Sequence, residues 1–119
     1  MSFQQGLSGL KASSSALDTI GNNIANSSTV GYKSSATIFA DVFAASLIGA
    51  GATKIGLGAK VADVAQQFTQ GNITVTNNPL DLAINGGGFY QLASEAGDIV
   101  YSRNGQFQVD KDGYIVNAQ

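Results

Sequence analysis

Cysteine, histidine and tryptophan are absent from this chain of 119 residues, and proline occurs once, at Pro79. Without cysteine there are no disulfides, no thiolate chemistry and no thiolate zinc site. Without histidine the commonest general base is missing as well. Charge is scarce too: Asp, Glu, Lys and Arg make up 12% of the chain, and the net charge is −2. In the first fifty residues only Lys11, Asp18, Lys33 and Asp41 carry charge. A phosphate-binding surface needs clustered Lys and Arg, so nucleic acid is not an expected partner. The start, MSFQQGLSGLKASSS, has no basic stretch followed by an apolar block, so it does not read as a cleaved secretory signal. Val42 to Thr53, the longest uncharged and mostly apolar run, is too short to cross a bilayer as a helix. A soluble chain is expected, or one exported by a route that cleaves no signal.

What is present divides into three regions. In residues 1–30, Phe3, Leu7, Leu10, Leu17 and Ile24 follow a 4-3-7-7 spacing, the a/d seam of a heptad. Ser14 and Gly21 fill the remaining seam positions, where a small residue lets a partner helix come close, and Ile20 widens the stripe. An amphipathic helix usually packs this stripe on its own core. Gly6, Gly9 and Ser13–Ser15 are poor helix formers, each costing about 0.5–1 kcal/mol against Ala, so this helix is marginal alone and needs a partner surface. A basic stripe for a membrane surface is missing, since the polar face carries one lysine.

Residues 31–58 read as a connecting segment rich in Gly, Ala and Ser, most linker-like at IGAGATKIGLG. Phe39, Val42 and Phe43 are expected to form a short helical turn or to anchor the segment. Residues 59–119 read as β structure. Leu80, Leu82 and Ile84 alternate with polar or small residues as a half-buried strand does. Gly86–Gly88 mark a turn and FYQLA a further strand. IVYSR and QFQVD flank Asn104-Gly105, which predicts a hairpin, and Asp112-Gly113 turns the chain into YIVNA. The expected class is α+β: a long N-terminal amphipathic helix, a connecting segment and an antiparallel β meander. No strand closes the sheet after YIVNAQ, and no second long helix meets the seam. The β domain is therefore expected to be the first part of a larger one.

No motif supports catalysis. GAGATKIG departs from a phosphate-binding loop, because its lysine follows Thr53 and Ile55 stands where Ser or Thr would hold Mg²⁺. NGGGF runs into a strand and offers no helix N-terminus to a pyrophosphate. Asp110-Lys111-Asp112-Gly113 opens like a calcium loop but has no closing carboxylate, and a turn explains it better. Asp98, Asp110 and Asp112 all sit at expected turns. The acceptor patterns at Asn26 and Asn72 are common by chance. No nucleophile–base pair is visible, and no cofactor or metal is expected.

The stretch GNNIANSSTVGYK, residues 21–33, follows Leu17, Asp18 and Ile20 at the end of the seam. In that setting it resembles the N-terminal signature of bacterial flagellar rod and hook proteins. GLGAKV at 56–61, QGNITVTNNPLDLAINGGGFYQL at 70–92 and YSRNGQFQVDKDGYIVN at 101–117 extend the resemblance over nearly the whole chain. MSFQQGLSGLKA and FADVFA look more like the hook members than the distal rod members. The resemblance implies a self-assembling axial tube, with N-terminal helices on the inside and the β domain as the next shell. It also implies export through the flagellar type III apparatus, and rod, hook-cap and hook–filament junction proteins as neighbours. Subunit contacts are then expected at Phe3, Leu7, Leu10, Leu17, Ile20, Asn22, Asn23, Ile24, Asn26, Gly31 and Tyr32. The asparagines can satisfy backbone groups freed where the helix ends and bridge to neighbouring subunits. Gly31 permits a sharp exit, and Tyr32 offers an amphipathic anchor.

Overall fold

The computed structural model describes residues 2–42 and 56–118. Its class is α+β: one N-terminal helix followed by antiparallel strand pairs. Helix α1 spans Ser2–Ala25. It ends where Asn26, Ser27 and Ser28 replace helix formers by turn formers, and the Thr29 N–H donates to the Asn26 carbonyl at 3.0 Å. The chain divides into two compact units. One holds residues 1–25 and 34–67, the other residues 26–33 and 68–119.

In the first unit, β1 (Ser35–Asp41) pairs antiparallel with β2 (Ala59–Gln66), with a bulge between Ile38 and Phe39. Pairing continues past both ends of the strands. Gln67 N–H donates to Ser34 O at 2.8 Å, and Val42 N–H to Gly58 O at 2.9 Å. Of the two expectations for Phe39 and Val42, a helical turn or an anchor, the turn is replaced by a strand and its extension; Phe43 and residues 48–55 lie outside the described residues. Thr37 and Ile38 are β-branched, which suits a pleated strand. The helix-facing positions Ser35 and Thr37 are polar, so the usual apolar alternation is missing from the sequence.

The second unit contains two short hairpins. Strand β3 (Tyr90–Ala93) pairs with β4 (Ile99–Ser102), and β5 (Phe107–Val109) with β6 (Ile115–Asn117). The Asp112-Gly113 turn forms as expected, closed by Gly113 N–H to Asp110 O at 2.9 Å. The Asn104-Gly105 hairpin does not form, because β4 and β5 pair elsewhere. A type I′ turn needs positive φ at both central residues, and neither Asn104 nor Gly105 has it. Gly105 is glycine for another reason: a Cβ there would run into the Leu82 carbonyl. Around Leu80–Ile84 the expected strand reduces to one bridge, Asp81 to Gln106, and Leu82 N–H to Gly105 O at 2.9 Å. Among the described residues the strands make three separate pairs rather than one meander.

Apolar burial is slight. Among the described residues only Ala12 and Phe107 are buried apolar side chains. Phe107 meets the Tyr90 ring edge to face at 5.2 Å, and Phe68 meets Phe89 the same way at 5.7 Å.

Candidate functional site

Helix α1 presents two different faces. Gln5, Ser8, Ala12, Thr19 and Asn23 recur at helical spacing, on the side opposite the heptad seam. This polar, small-residue side meets the β1–β2 hairpin. Gln5 Nε2 donates to Gly56 O at 2.6 Å, and Ala59 N–H donates to Ser8 Oγ at 3.3 Å. Thr37 Oγ1 donates to Thr19 Oγ1 at 2.9 Å, and Thr19 Oγ1 to Ser15 O at 3.1 Å. Gly58, with φ +125°, lies directly against Ser8, and a Cβ there would collide with the Ser8 side chain.

Asn23 makes the most specific of these contacts. Its Nδ2 donates to Ser35 O at 2.7 Å, while its Oδ1 accepts from Ser35 N–H at 2.9 Å. A side-chain amide here does what a neighbouring strand's peptide would do, and it does so at the first residue of β1. Asn23 thus serves the backbone of a strand twelve residues on, a partner beyond the helix end.

The seam lies on the other side and is uncovered. Phe3, Leu7, Leu10, Leu17, Ile20 and Ile24 are all exposed, from 44% at Leu7 to 84% at Phe3. The usual arrangement of a surface helix is thus inverted, with polar groups on its own protein and apolar groups outward. Among the described residues no helix is long and apolar enough to cross a membrane.

The remaining signature residues belong to the second unit. Asn26 Oδ1 accepts from Thr29 Oγ1 at 3.3 Å, and Tyr32 N–H donates to Thr29 O at 3.3 Å. Tyr32 is half-buried. Gly31 has φ +79°, the sharp exit expected of it. A Cβ at Gly31 would stand 2.5 Å from the Asn104 backbone nitrogen and 2.7 Å from the Arg103 carbonyl carbon. Asn22 is exposed near the end of α1. Of the eleven expected contact residues, six are the open seam, and Asn23, Asn26 and Gly31 have structural work within the chain.

Sequence reasoning passed over Gln5, Ser8 and Gly58, although the 5-8-12-19-23 spacing was there to be read as a second helix face. It also passed over Arg103. That guanidinium donates to Gly88 O, to Ile84 O at 2.9 Å, to Gly86 O at 2.6 Å and to Gln70 Oε1 at 2.9 Å. The Asp110 carboxylate is engaged locally, its Oδ1 accepting from Lys111 N–H at 2.7 Å.

Helix α1 leaves its apolar seam exposed, and the second unit is built of short hairpins. Two family models match the chain. One described as "Flagella basal body rod protein" matches residues 3–33, and one described as "Flagellar hook protein FlgE/F/G D1 domain" matches residues 83–119. The chain belongs to the family of flagellar rod and hook axial proteins, and corresponds to their N-terminal part. It is 50% identical, over its full length, to the flagellar hook protein FlgE of Salmonella typhimurium (strain LT2). The same identity and coverage hold for the flagellar hook protein FlgE of Escherichia coli (strain K12). It is 34% identical to the flagellar basal-body rod protein FlgG of Buchnera aphidicola subsp. Schizaphis graminum, over 91% of this chain and 46% of that relative. The chain spans 28% of the length of the two hook proteins.

Proposed function

We propose that this chain is part of a structural, non-enzymatic subunit of the bacterial flagellar hook. The subunit polymerises into a flexible helical tube that passes torque from rod to filament. It is exported without a cleaved signal through the flagellar type III apparatus, and it meets rod, hook-cap and hook–filament junction proteins in an extracellular assembly. The observation that carries this reading is the open seam of α1. Full burial of one such side chain is worth about 1.5–3 kcal/mol, so several together supply a strong drive for association. The helix cannot spend that surface on its own hairpin, which already occupies its polar side. Sparse charge on the helix suits contacts that slide as a tube bends, since no buried ion pair has to break.

Hook identity is favoured over distal rod by the 50% identity to the hook relatives against 34% to the rod relative. The distal rod is the second reading, supported by the rod-type model over residues 3–33. Complementation separates the two: the natural gene restores hooks to a hookless strain under the first reading, and rods to a rodless strain under the second.

The seam itself is tested with Leu10→Asp and Leu17→Asp in the natural protein. Each puts a charge on a surface that must be desolvated, at a cost of several kcal/mol. Neither side chain faces the hairpin. We expect loss of sedimentable polymer and of tubes in electron micrographs, with strand content by circular dichroism unchanged. Normal polymerisation of both variants removes the seam from the assembly contact.

A further inference from the structure

The sequence contains two Asn-Gly pairs, Asn85-Gly86 and Asn104-Gly105, and the structure treats them differently. An Asn-Gly bond is the backbone sequence most open to succinimide chemistry, because glycine has no side chain to keep its nitrogen from the asparagine carbonyl. At Asn104 the pair is held on both sides. Its Oδ1 accepts from Gln106 N–H at 3.0 Å, and Gly105 is buried, its carbonyl accepting from Leu82 N–H at 2.9 Å. Asn85 and Gly86 are both exposed. What holds them is a clamp. Gly86 N–H donates to Gln70 Oε1 at 3.1 Å, and the same Oε1 accepts from Arg103 Nη2. Arg103 in turn grips the carbonyls of Ile84, Gly86 and Gly88. The attacking nitrogen is therefore engaged, and the peptide planes on both sides of it are fixed.

We propose that Asn85-Gly86 is a site of spontaneous deamidation, gated by the Gln70–Arg103 clamp. When the clamp opens, the Gly86 backbone nitrogen attacks the Asn85 side-chain carbonyl carbon. The new N–C bond closes a five-membered ring, and the C–Nδ2 bond breaks. Ammonia leaves with the proton that Gly86 nitrogen gives up. Water then adds to either ring carbonyl and leaves aspartate or isoaspartate. The net exchange is one water in and one ammonia out. The product places a carboxylate one to three residues from the carbonyls that Arg103 binds, and in the isoaspartyl form it lengthens the backbone of the loop.

The test ages the natural protein at neutral pH and follows both Asn-Gly peptides by mass spectrometry, scoring aspartate and isoaspartate. Gln70→Ala removes the acceptor of Gly86 N–H. It is expected to speed deamidation at Asn85 by roughly tenfold, the effect of about one hydrogen bond's worth of local stability. Gln70→Glu keeps an acceptor at the same place and should retain the slow rate. Asn104 in the same molecule reports on general unfolding. Acceleration at Asn85 alone, restored by Gln70→Glu, upholds the gate. Equal acceleration at both sites, no acceleration at Asn85, or a Gln70→Glu rate as fast as Gln70→Ala overturns it.

Discussion

The two units use opposite means to hold themselves together. The helix–hairpin unit is joined by side-chain amides and hydroxyls from one face of α1, and it leaves its large apolar groups outside. The β unit buries one aromatic, Phe107 against Tyr90, and ties its loops with one guanidinium. A net hydrogen bond is worth about 0.5–1.5 kcal/mol, and a buried aromatic considerably more. The first unit is therefore weakly held by what it contains and has most to gain from a partner. The second carries more of its own cohesion. Under the proposed function, that division leaves the seam free until a neighbour covers it.

Two glycines offer the sharpest way to break this comparison. Gly31→Ala would strain a positive φ and drive a Cβ into the Asn104 backbone, which has no flexible end to give way. We expect a loss of about 3 kcal/mol or more in the β unit. Gly58→Ala also strains a positive φ, of +125°, but its Cβ meets the Ser8 side chain, which can rotate away at the expense of its bond to Ala59. Its effect should be confined to the helix–hairpin unit. Hydrogen exchange read peptide by peptide checks both. If Gly31→Ala loosens α1 and the β1–β2 hairpin as much as the β unit, the two units are not separately held.

Next in size is Asn23. Asn23→Asp keeps the shape but sets a carboxylate against the Ser35 carbonyl, leaving that acceptor unpaired. The expected cost is about 1–3 kcal/mol. Hydrogen exchange should show faster exchange in α1 and at Ser35, with the β unit unchanged. Exchange at Ser35 equal to that of the natural protein would mean the amide does not hold the strand.

The seam was legible in the sequence because six large apolar residues at helical spacing leave a signal that no neighbour has to explain. The Gly31 exit and the Asp112-Gly113 turn were legible because their chemistry is local. Strand β1 was not, since its helix-facing side is Ser35 and Thr37 rather than a row of apolar residues. Nor was the partner of Asn23: the residue type announces hydrogen bonding, but only the fold brings Ser35 to it. Arg103 was hidden for a similar reason, because three of its four acceptors are backbone carbonyls, which leave no mark on a sequence. The Asn104-Gly105 reading failed because a strong local turn signal yielded to the pairing of β3 with β4 and β5 with β6.

The finest test concerns a methyl group. Gly21 occupies a seam position, and a Cβ there would meet nothing within 4 Å. Gly9 lies off the seam, and a Cβ there also meets nothing within 4 Å. Nothing inside the described chain therefore requires either glycine, while each costs the helix about 0.5–1 kcal/mol relative to alanine. Alanine at either position should raise the stability of α1 by that amount, read as a higher melting midpoint of the helical circular dichroism signal. The two variants should part company in assembly. Gly9→Ala should polymerise at least as readily as the natural protein, because its methyl group stays outside the contact. Gly21→Ala should polymerise less readily despite its firmer helix, because the methyl fills the gap through which a partner backbone approaches. A rise in the critical concentration for Gly21→Ala alone would locate close approach at that turn of the seam. If both variants assemble equally well, the gap at Gly21 is not used, and the partner touches only the large residues on either side of it.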